Sequence, residues 1–455
     1  MSLPNIPAAV YETRPLLKEL RAEAHRRAVG ADAVLWSFLT IAAADAPAQI
    51  SVDTGIGTPA KLTLYAVLAG RSGTGKSAAW GVARKLYGDG PEPLPLSTGE
   101  GMIEAFFGMV PEEIPHPTDP NKPPKIIKVR KRTRSSRLFW LDEGESLFKQ
   151  AERMGSQLHT TLRGFWSGGT VGQANATEGL GRVLEAGTYA GGLVIGLQPD
   201  ISGRLLADTA TGTAQRFVWT ATTDTGIPLS NGTPPGPPMP IQPVPWTRPN
   251  LPVIPSMPGP GGVLEALFAP LPPVTITVEP DIALELDTRR RLVAAGREEP
   301  DEFDTQRHAM HIKVAAVLAW LDGRLRVTRD DWAIAGELLG ASDAVRDALI
   351  EHADGAERED MATEAVRRAR ARDAESDDRI TEQKLRCAKR MNDIVTEHGP
   401  IGAAAIRKRL SRAQRPMLAE LLENAVRNGV LRAADVAGTG QSGTHYEINS
   451  GHRVE

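Results

Sequence analysis

Tyr65-Ala-Val-Leu-Ala-Gly-Arg-Ser-Gly-Thr-Gly-Lys-Ser77 is the stretch on which the reading of this chain turns. Gly70, Gly75, Lys76 and Ser77 fit G-x-x-x-x-G-K-[ST], the pattern of a phosphate-binding loop, or P-loop. An apolar run from Leu62 to Ala69 precedes the loop and reads as a buried strand. Helical patterning from Ala78 to Leu86 follows it. Strand, loop and helix in that order are the context the motif requires. Glycines, here Gly70, Gly73 and Gly75, let backbone N–H groups turn inward around a phosphate. The helix N-terminus at Ser77 and Ala78 adds partial positive charge. Lys76 is expected to reach the β- and γ-phosphates and the Ser77 hydroxyl to ligate Mg²⁺. The expected ligand is therefore a nucleoside triphosphate, ATP with Mg²⁺.

Downstream, Leu138-Phe-Trp-Leu-Asp-Glu143 is an apolar strand ending in two carboxylates, the form of a Walker B element. Asp142 is expected to hold Mg²⁺, and Glu143 to polarise the attacking water as general base. An adjacent Asp-Glu pair favours an AAA+ arrangement over a RecA-like one. Gly191 to Pro199 reads as another buried strand, and Gln198 at its end fits a polar sensor of the γ-phosphate. Arg216 precedes the strand Phe217–Ala221. It is either an arginine finger acting in trans on a neighbouring subunit's nucleotide or an ion-paired surface arginine, with Arg204 in reserve.

Two further segments leave two readings each. Lys122, Lys125, Lys128, Arg130, Lys131, Arg132, Arg134 and Arg137 crowd together after a proline-rich, patternless stretch that begins at Pro111. They form a solvated loop, or a loop or hairpin in which Arg130, Lys131 and Arg132 meet nucleic-acid phosphates. Leu162-Arg-Gly-Phe-Trp-Ser-Gly-Gly-Thr170 places Phe165 and Trp166 on a pore-facing loop that stacks on bases, or anchors a hairpin to the core through them.

The chain has 455 residues, enough for two to four domains, and a net charge of −3, so nucleic-acid contacts must come from local basic patches. Cys387 is the only cysteine, which excludes a disulfide framework and cysteine-based zinc sites and fits a reducing, cytoplasmic setting. No run is long and apolar enough for a membrane span, and the N-terminus lacks a signal pattern. Residues 1–50 read as a helical segment packing on an ATPase core at 51–226. Prolines recur from Pro228 to Pro260, which makes 227–261 an extended linker. Helical periodicity returns over 262–352, where Thr328-Arg-Asp-Asp331 resembles a capping box. His308 and His311 lack companions at metal-ligand spacing and read as packing or surface residues. Residues 353–385 form a charged helix or arm. Residues 386–455 follow the order helix, helix, helix, hairpin of a winged helix, with Arg407, Lys408 and Arg412 suited to DNA phosphates; a protein-docking winged helix is the other reading. The fold class expected is α/β: a P-loop NTPase, AAA+-like with a central parallel sheet, then a helical domain and a C-terminal winged helix.

Over roughly Leu3 to Leu349 the sequence resembles the helicase part of primase–polymerase/helicase proteins of phages, plasmids and integrated mobile elements, in the variant common among actinobacteria. The resemblance rests on Gly70–Ser77, Leu138–Glu143, the Leu162 segment, Ile195-Gly-Leu-Gln-Pro-Asp200, Gln215-Arg-Phe217 and Val327-Thr-Arg-Asp-Asp-Trp332. It implies an AAA+-like, ring-forming replicative DNA helicase, a homo-hexamer acting on single-stranded or forked DNA. Lys76, Ser77, Asp142 and Glu143 carry over, with Gln198 and Arg216 after them. Too few residues precede residue 12 for a primase–polymerase domain, so a separate primase or initiator protein is expected as partner. An initiator or loader that does not unwind DNA, or an AAA+ regulator, is the alternative.

Overall fold

The computed structural model describes residues 2–55, 58–96, 98–114, 125–151, 156–173, 182–206, 212–229, 236–241, 273–299, 305–436 and 443–450; at 112–114, 125, 148, 357, 360 and 362 it describes the backbone alone. The chain divides into two compact units, Met1–Ala356 and Glu357–Glu455.

The strands of the first unit are, in chain order, β1 (Ile50–Val52), β2 (Leu64–Ala69), β3 (Pro93–Leu94), β4 (Phe107–Ile114), β5 (Lys125–Arg132), β6 (Ser136–Leu141), β7 (Val171–Gln173), β8 (Arg182–Leu184), β9 (Ala190–Leu197), β10 (Phe217–Ala221), β11 (Val274–Val278) and β12 (Arg326–Val327). Five of them form one sheet in the order β10-β2-β9-β6-β3, and every neighbouring pair is parallel. β2, β9 and β10 are buried along their whole length, as parallel strands covered on both faces must be. Their sequences, Leu-Tyr-Ala-Val-Leu-Ala and Ala-Gly-Gly-Leu-Val-Ile-Gly-Leu, accordingly run apolar without alternation.

Two glycines let the covers approach. Successive strand side chains point to opposite faces. A Cβ at Gly192 would lie 2.8 Å from both the carbonyl oxygen and Cγ2 of Thr40, and one at Gly191 would lie 2.5 Å from the Phe165 ring. Thr40 belongs to the helix Ala31–Asp45, which is buried on all sides from Ala31 to Ala44. Residues 1–50 thus supply a central helix of the fold. The described residues of 262–352 are equally integral: β11 pairs with β1, and the helix Arg307–Leu321 shares one core with the sheet, reaching from Leu3 to Leu349.

Lys313 is buried on that helix. Its ammonium donates to the Trp166 carbonyl at 2.5 Å and sits 3.4 Å from the centroid of the Trp166 ring. Burial, and then the nearby Arg216, push its pKa well below the ordinary lysine value.

Thr328 and Asp331 bond reciprocally as a capping box: Thr328 N donates to Asp331 Oδ2 at 2.7 Å, and Asp331 N donates to Thr328 Oγ1 at 3.4 Å. Arg14 and Arg324 pair with the same carboxylate. Thr98 caps the helix Gly99–Glu104, and most of 227–261 lies outside the described residues. The helix that opens at Arg329 runs without interruption to His398, so residues 353–385, read as a charged helix or arm, are helical.

In the second unit, the end of that helix, Ala403–Arg409 and Leu418–Arg427 pack around Ile394, Ile406 and Leu422. Three strands complete it: β13 (Ile401–Gly402), β14 (Leu431–Val436) and β15 (Gly443–Ile448), antiparallel in the order β13-β15-β14. The hairpin tip at 437–442 lies outside the described residues.

Gly192→Ala should lower stability by about 1–3 kcal/mol, since the new methyl meets backbone that cannot yield. Gly340 is helical with open space around its Cβ, so Gly340→Ala should be neutral or gain up to about 1 kcal/mol; urea titration of both reads the difference. His311 gives a pH signature. Its ring stacks on Trp332 at 3.6 Å and its Nε2 pairs with the Trp332 carbonyl at 2.8 Å. Burial lowers its pKa to about 4. Because the unfolded histidine binds its proton first, near pH 6.5, the stability gained from neutral His311 is full above that pH and is lost as pH falls toward 4. His311→Phe should flatten the urea midpoint between those two pH values.

Candidate functional site: a cleft at the carboxyl edge of the sheet

The loop 70–75 joins β2 to the helix Lys76–Tyr87 at the carboxyl edge of the sheet. Three glycines serve it in two ways. Gly73 and Gly75 have φ of +80° and +89°, the left-handed region, with open space around them. Gly70 is constrained by space: a Cβ there would lie 1.9 Å from Thr222 Oγ1 and 2.3 Å from Thr74 Oγ1. Those two hydroxyls are hydrogen-bonded to each other at 2.8 Å, and Thr222 N donates to Ala69 O at 3.0 Å. Thr222, just past β10, therefore ties the loop to the edge strand. Sequence reasoning missed it, because the residue's significance depends on β10 lying beside β2.

β9 separates β2 from β6, yet the loop and the end of β6 meet in front of it. The Ser77 hydroxyl donates to Asp142 Oδ1 at 2.5 Å, and Gly144 N donates to Gly196 O at 2.8 Å. The close passage of β6 over β9 is possible because residue 196 is glycine; a Cβ there would lie 2.4 Å from Asp142 O. Lys76 Nζ donates to the carbonyls of Gly70 and Arg71 at 2.8 and 3.0 Å. Burial lowers the Lys76 pKa, while Asp142 and Glu143 act in the opposite direction.

A cavity of about 520 Å³ opens over this junction. Gly73, Gly75, Lys76, Ser77, Ala78, Asp142, Glu143 and Gln198 all line it; Gly70 does not, and is linked to it only through the hydrogen bond that its carbonyl accepts from Lys76. Residues from three separated stretches of sequence thus converge. The cavity also takes in Ser72, at an unspecified position of the P-loop pattern, and Glu145 and Ile201, which no motif marked. Its chemistry is mixed in a specific way: an ammonium and the first-turn N–H groups of a helix on one wall, a hydroxyl and exposed carboxylates on the other.

Other expected site residues lie elsewhere. Arg216 sits at the start of β10, opposite the loop end of the parallel sheet, since Phe217 pairs with Tyr65 while Ala221 pairs with Ala69. Its guanidinium bonds the Gly212 carbonyl and faces the Trp166 ring at 5.4 Å. Burial lowers its pKa, and Arg163 adds to the effect. Within this chain it does not reach the cavity.

Phe165 and Trp166 are not on a loop. They fall with Leu158 and Leu162 on one face of the helix Leu158–Ser167, at 0% and 2% exposure. Phe165 stacks on Tyr189 at 4.8 Å, so neither ring offers a face to a base. Of the glycines that suggested a loop, Gly164 lies within the helix, and Gly168 caps it at φ +72°.

The basic stretch is a hairpin, β4 paired with β5. Within it Arg130 pairs with Glu104, and Arg132 donates to Thr188 Oγ1 and O at 2.7 and 2.6 Å. Both are tied into the fold, while Lys131 is half-buried between them and Lys128 is exposed. In the second unit Arg407, Lys408 and Arg412 are exposed and have no ion-pair partner among the described residues.

Compared with protein-family models and with curated proteins, the chain matches none. Among the described residues no helix is long and apolar enough to cross a membrane.

The Thr74–Thr222 pair offers a direct check on how the cavity is held. Thr222→Val keeps the shape and deletes the hydroxyl. It should weaken phosphate-ligand binding several-fold, with Thr222→Ser restoring it, as read by calorimetric titration of a non-hydrolysable nucleotide.

Proposed function

We propose that the chain is a Mg²⁺-dependent ATPase with a P-loop of the AAA+-like class. The observation that carries this reading is the 2.5 Å bond between Ser77 and Asp142, with Glu143 exposed beside it and Lys76 on the same cavity. A hydroxyl and a carboxylate so joined are the donor set for a hard divalent cation, which takes oxygen ligands. Mg²⁺ held there supplies charge neutralisation to the β- and γ-phosphates. Lys76 leaves the carbonyls of Gly70 and Arg71 to meet the phosphate, and backbone N–H groups of the loop bind its oxygens. Glu143 accepts the proton of the attacking water as that oxygen bonds to the γ-phosphorus and the bond from this phosphorus to the β–γ bridging oxygen breaks, with ADP as the leaving group. Gln198, at the end of β9 between β2 and β6, orients the terminal phosphate.

With Arg216 turned inward, Arg204 is the better arginine for the transition state. It is exposed and without an ion-pair partner among the described residues, on the helix Pro199–Leu206 whose Ile201 lines the cavity.

The work we propose for this ATPase is DNA unwinding, as the helicase of a mobile element's replication machinery. Support comes from the second unit. Its helix, helix, helix, hairpin order suits a winged helix, and its unpaired Arg407, Lys408 and Arg412 suit DNA phosphates. A ring of six and a separate primase or initiator are part of the same proposal. The same unit equally suits an initiator or loader that grips duplex DNA without opening it.

Lys76→Ala should weaken ATP binding, whereas Glu143→Gln should keep binding and lose hydrolysis by orders of magnitude. Normal turnover in Glu143→Gln would remove the general-base assignment. Arg204→Ala should reduce kcat at least tenfold, while Arg216→Ala should act on thermal stability. Displacement of a forked duplex by the wild type and not by Lys76→Ala supports unwinding; ATPase stimulation by duplex without displacement supports the loader.

A further inference from the structure

The middle of the helix Arg329–His398 is exposed almost residue for residue from 358 to 382. A helix polar on every side needs i,i+4 ion pairs or a partner to hold it. It has Glu364–Arg368, Glu375–Arg379 and Glu382–Arg386, but Arg367, Arg370, Asp377 and Asp378 have no ion-pair partner among the described residues. The charges are also sorted in a way that works against the isolated helix. Arginines occupy 367, 368, 370 and 372; acids occupy 373, 375, 377 and 378. Like charges consequently stand three or four residues apart at Arg367/Arg370, Arg368/Arg372 and Asp373/Asp377, which is unfavourable within one helix.

The two blocks mirror each other about the boundary between Arg372 and Asp373. Arg370 is the third residue before it and Glu375 the third after; Arg368 and Asp377 are the fifth, Arg367 and Asp378 the sixth. The exposed aliphatics Val366 and Ile380, 52% and 45% exposed, stand one residue off that register, the seventh before and the eighth after. At roughly 100° per residue, Val366, Arg367, Arg370, Asp377, Asp378 and Ile380 fall within about 160° of the helix circumference. A surface on which residue i complements residue j, and j complements i, is the condition for a two-fold interface.

We propose that this face binds a second copy of the chain, antiparallel, about a two-fold axis at Arg372–Asp373. Arg367 and Arg370 of each copy then face Asp377 and Asp378 of the other, so that the like-charge pair Arg367/Arg370 is neutralised across the contact. Val366 of each copy meets Ile380 of the other at the two ends of the contact. With so few large apolar side chains, the pairing is governed by charge and weakens as salt rises. It does not depend on the nucleotide site, and its test contains no nucleotide.

Single cysteines in the full chain, made in a Cys387→Ala background, read the geometry. Ala374→Cys lies beside the axis and should cross-link to its own copy under mild oxidation at low salt. Thr363→Cys alone should not, whereas a mixture of Thr363→Cys and Thr381→Cys chains should. Arg367→Glu with Arg370→Glu should weaken dimerisation about tenfold or more in sedimentation. Adding Asp377→Arg and Asp378→Arg to that chain should restore its self-association. Self-cross-linking of Thr363→Cys would overturn the antiparallel arrangement. Absence of cross-links at every position, or dimerisation indifferent to the charge reversal, would overturn the interface. If Asp377→Arg with Asp378→Arg instead tightens binding to a single-stranded oligonucleotide and leaves the self-association of the chain unchanged, the arginine block serves nucleic acid and the self-pairing proposal fails.

Discussion

A parallel sheet must be covered on both faces, and in this protein β9 is where the two covers come closest. Gly191 and Gly192 stand side by side, one admitting the Phe165 ring and the other the Thr40 backbone. Much else follows from that approach. The helix Ala31–Asp45 can lie flat on the sheet and be buried all round. The helix Leu158–Ser167 can set its aromatic end into a cluster with Phe106, Phe139 and Tyr189. Larger side chains at either glycine would separate the layers and expose the strands.

The same strand orders the cleft. Because β9 lies between β2 and β6, the loop and the two carboxylates approach each other across its end, and Gly196 lets β6 pass close enough for Ser77 to reach Asp142. The loop is fixed from its other side by Thr222 at the end of β10. The cavity is thus a product of strand order, with each strand contributing what stands just past its carboxyl end.

Far from the cleft, charge does the work that burial does near it. Lys313 is satisfied by a carbonyl and a ring inside the core, and Arg14, Arg324 and Asp331 join the N-terminal segment to the start of the longest helix. Past Ala356 that helix has no core of its own until Cys387 and Met391, and its sorted charges await complement from outside.

Local chain determined the loop, the buried strands, the capping box at Thr328 and the order of elements in the second unit. Glycine torsions, apolar runs and reciprocal side-chain caps each act within a few residues, so they are legible in sequence. Even the meeting of Lys76, Ser77, Asp142, Glu143 and Gln198 in one cavity was anticipated, since each stands at the carboxyl end of a strand and parallel strands place those ends together. Tertiary structure alone decided the rest. Whether an arginine is free or spent depends on what folds against it: Arg216 meets Trp166, Arg130 meets Glu104 and Arg132 meets Thr188, all distant in sequence. Phe165 and Trp166 became core residues because their helix lies under β9, and Thr222 became a loop anchor because β10 pairs with β2. Those outcomes turn on contacts between segments that carry no mark of one another, and only the packed sheet brings them together.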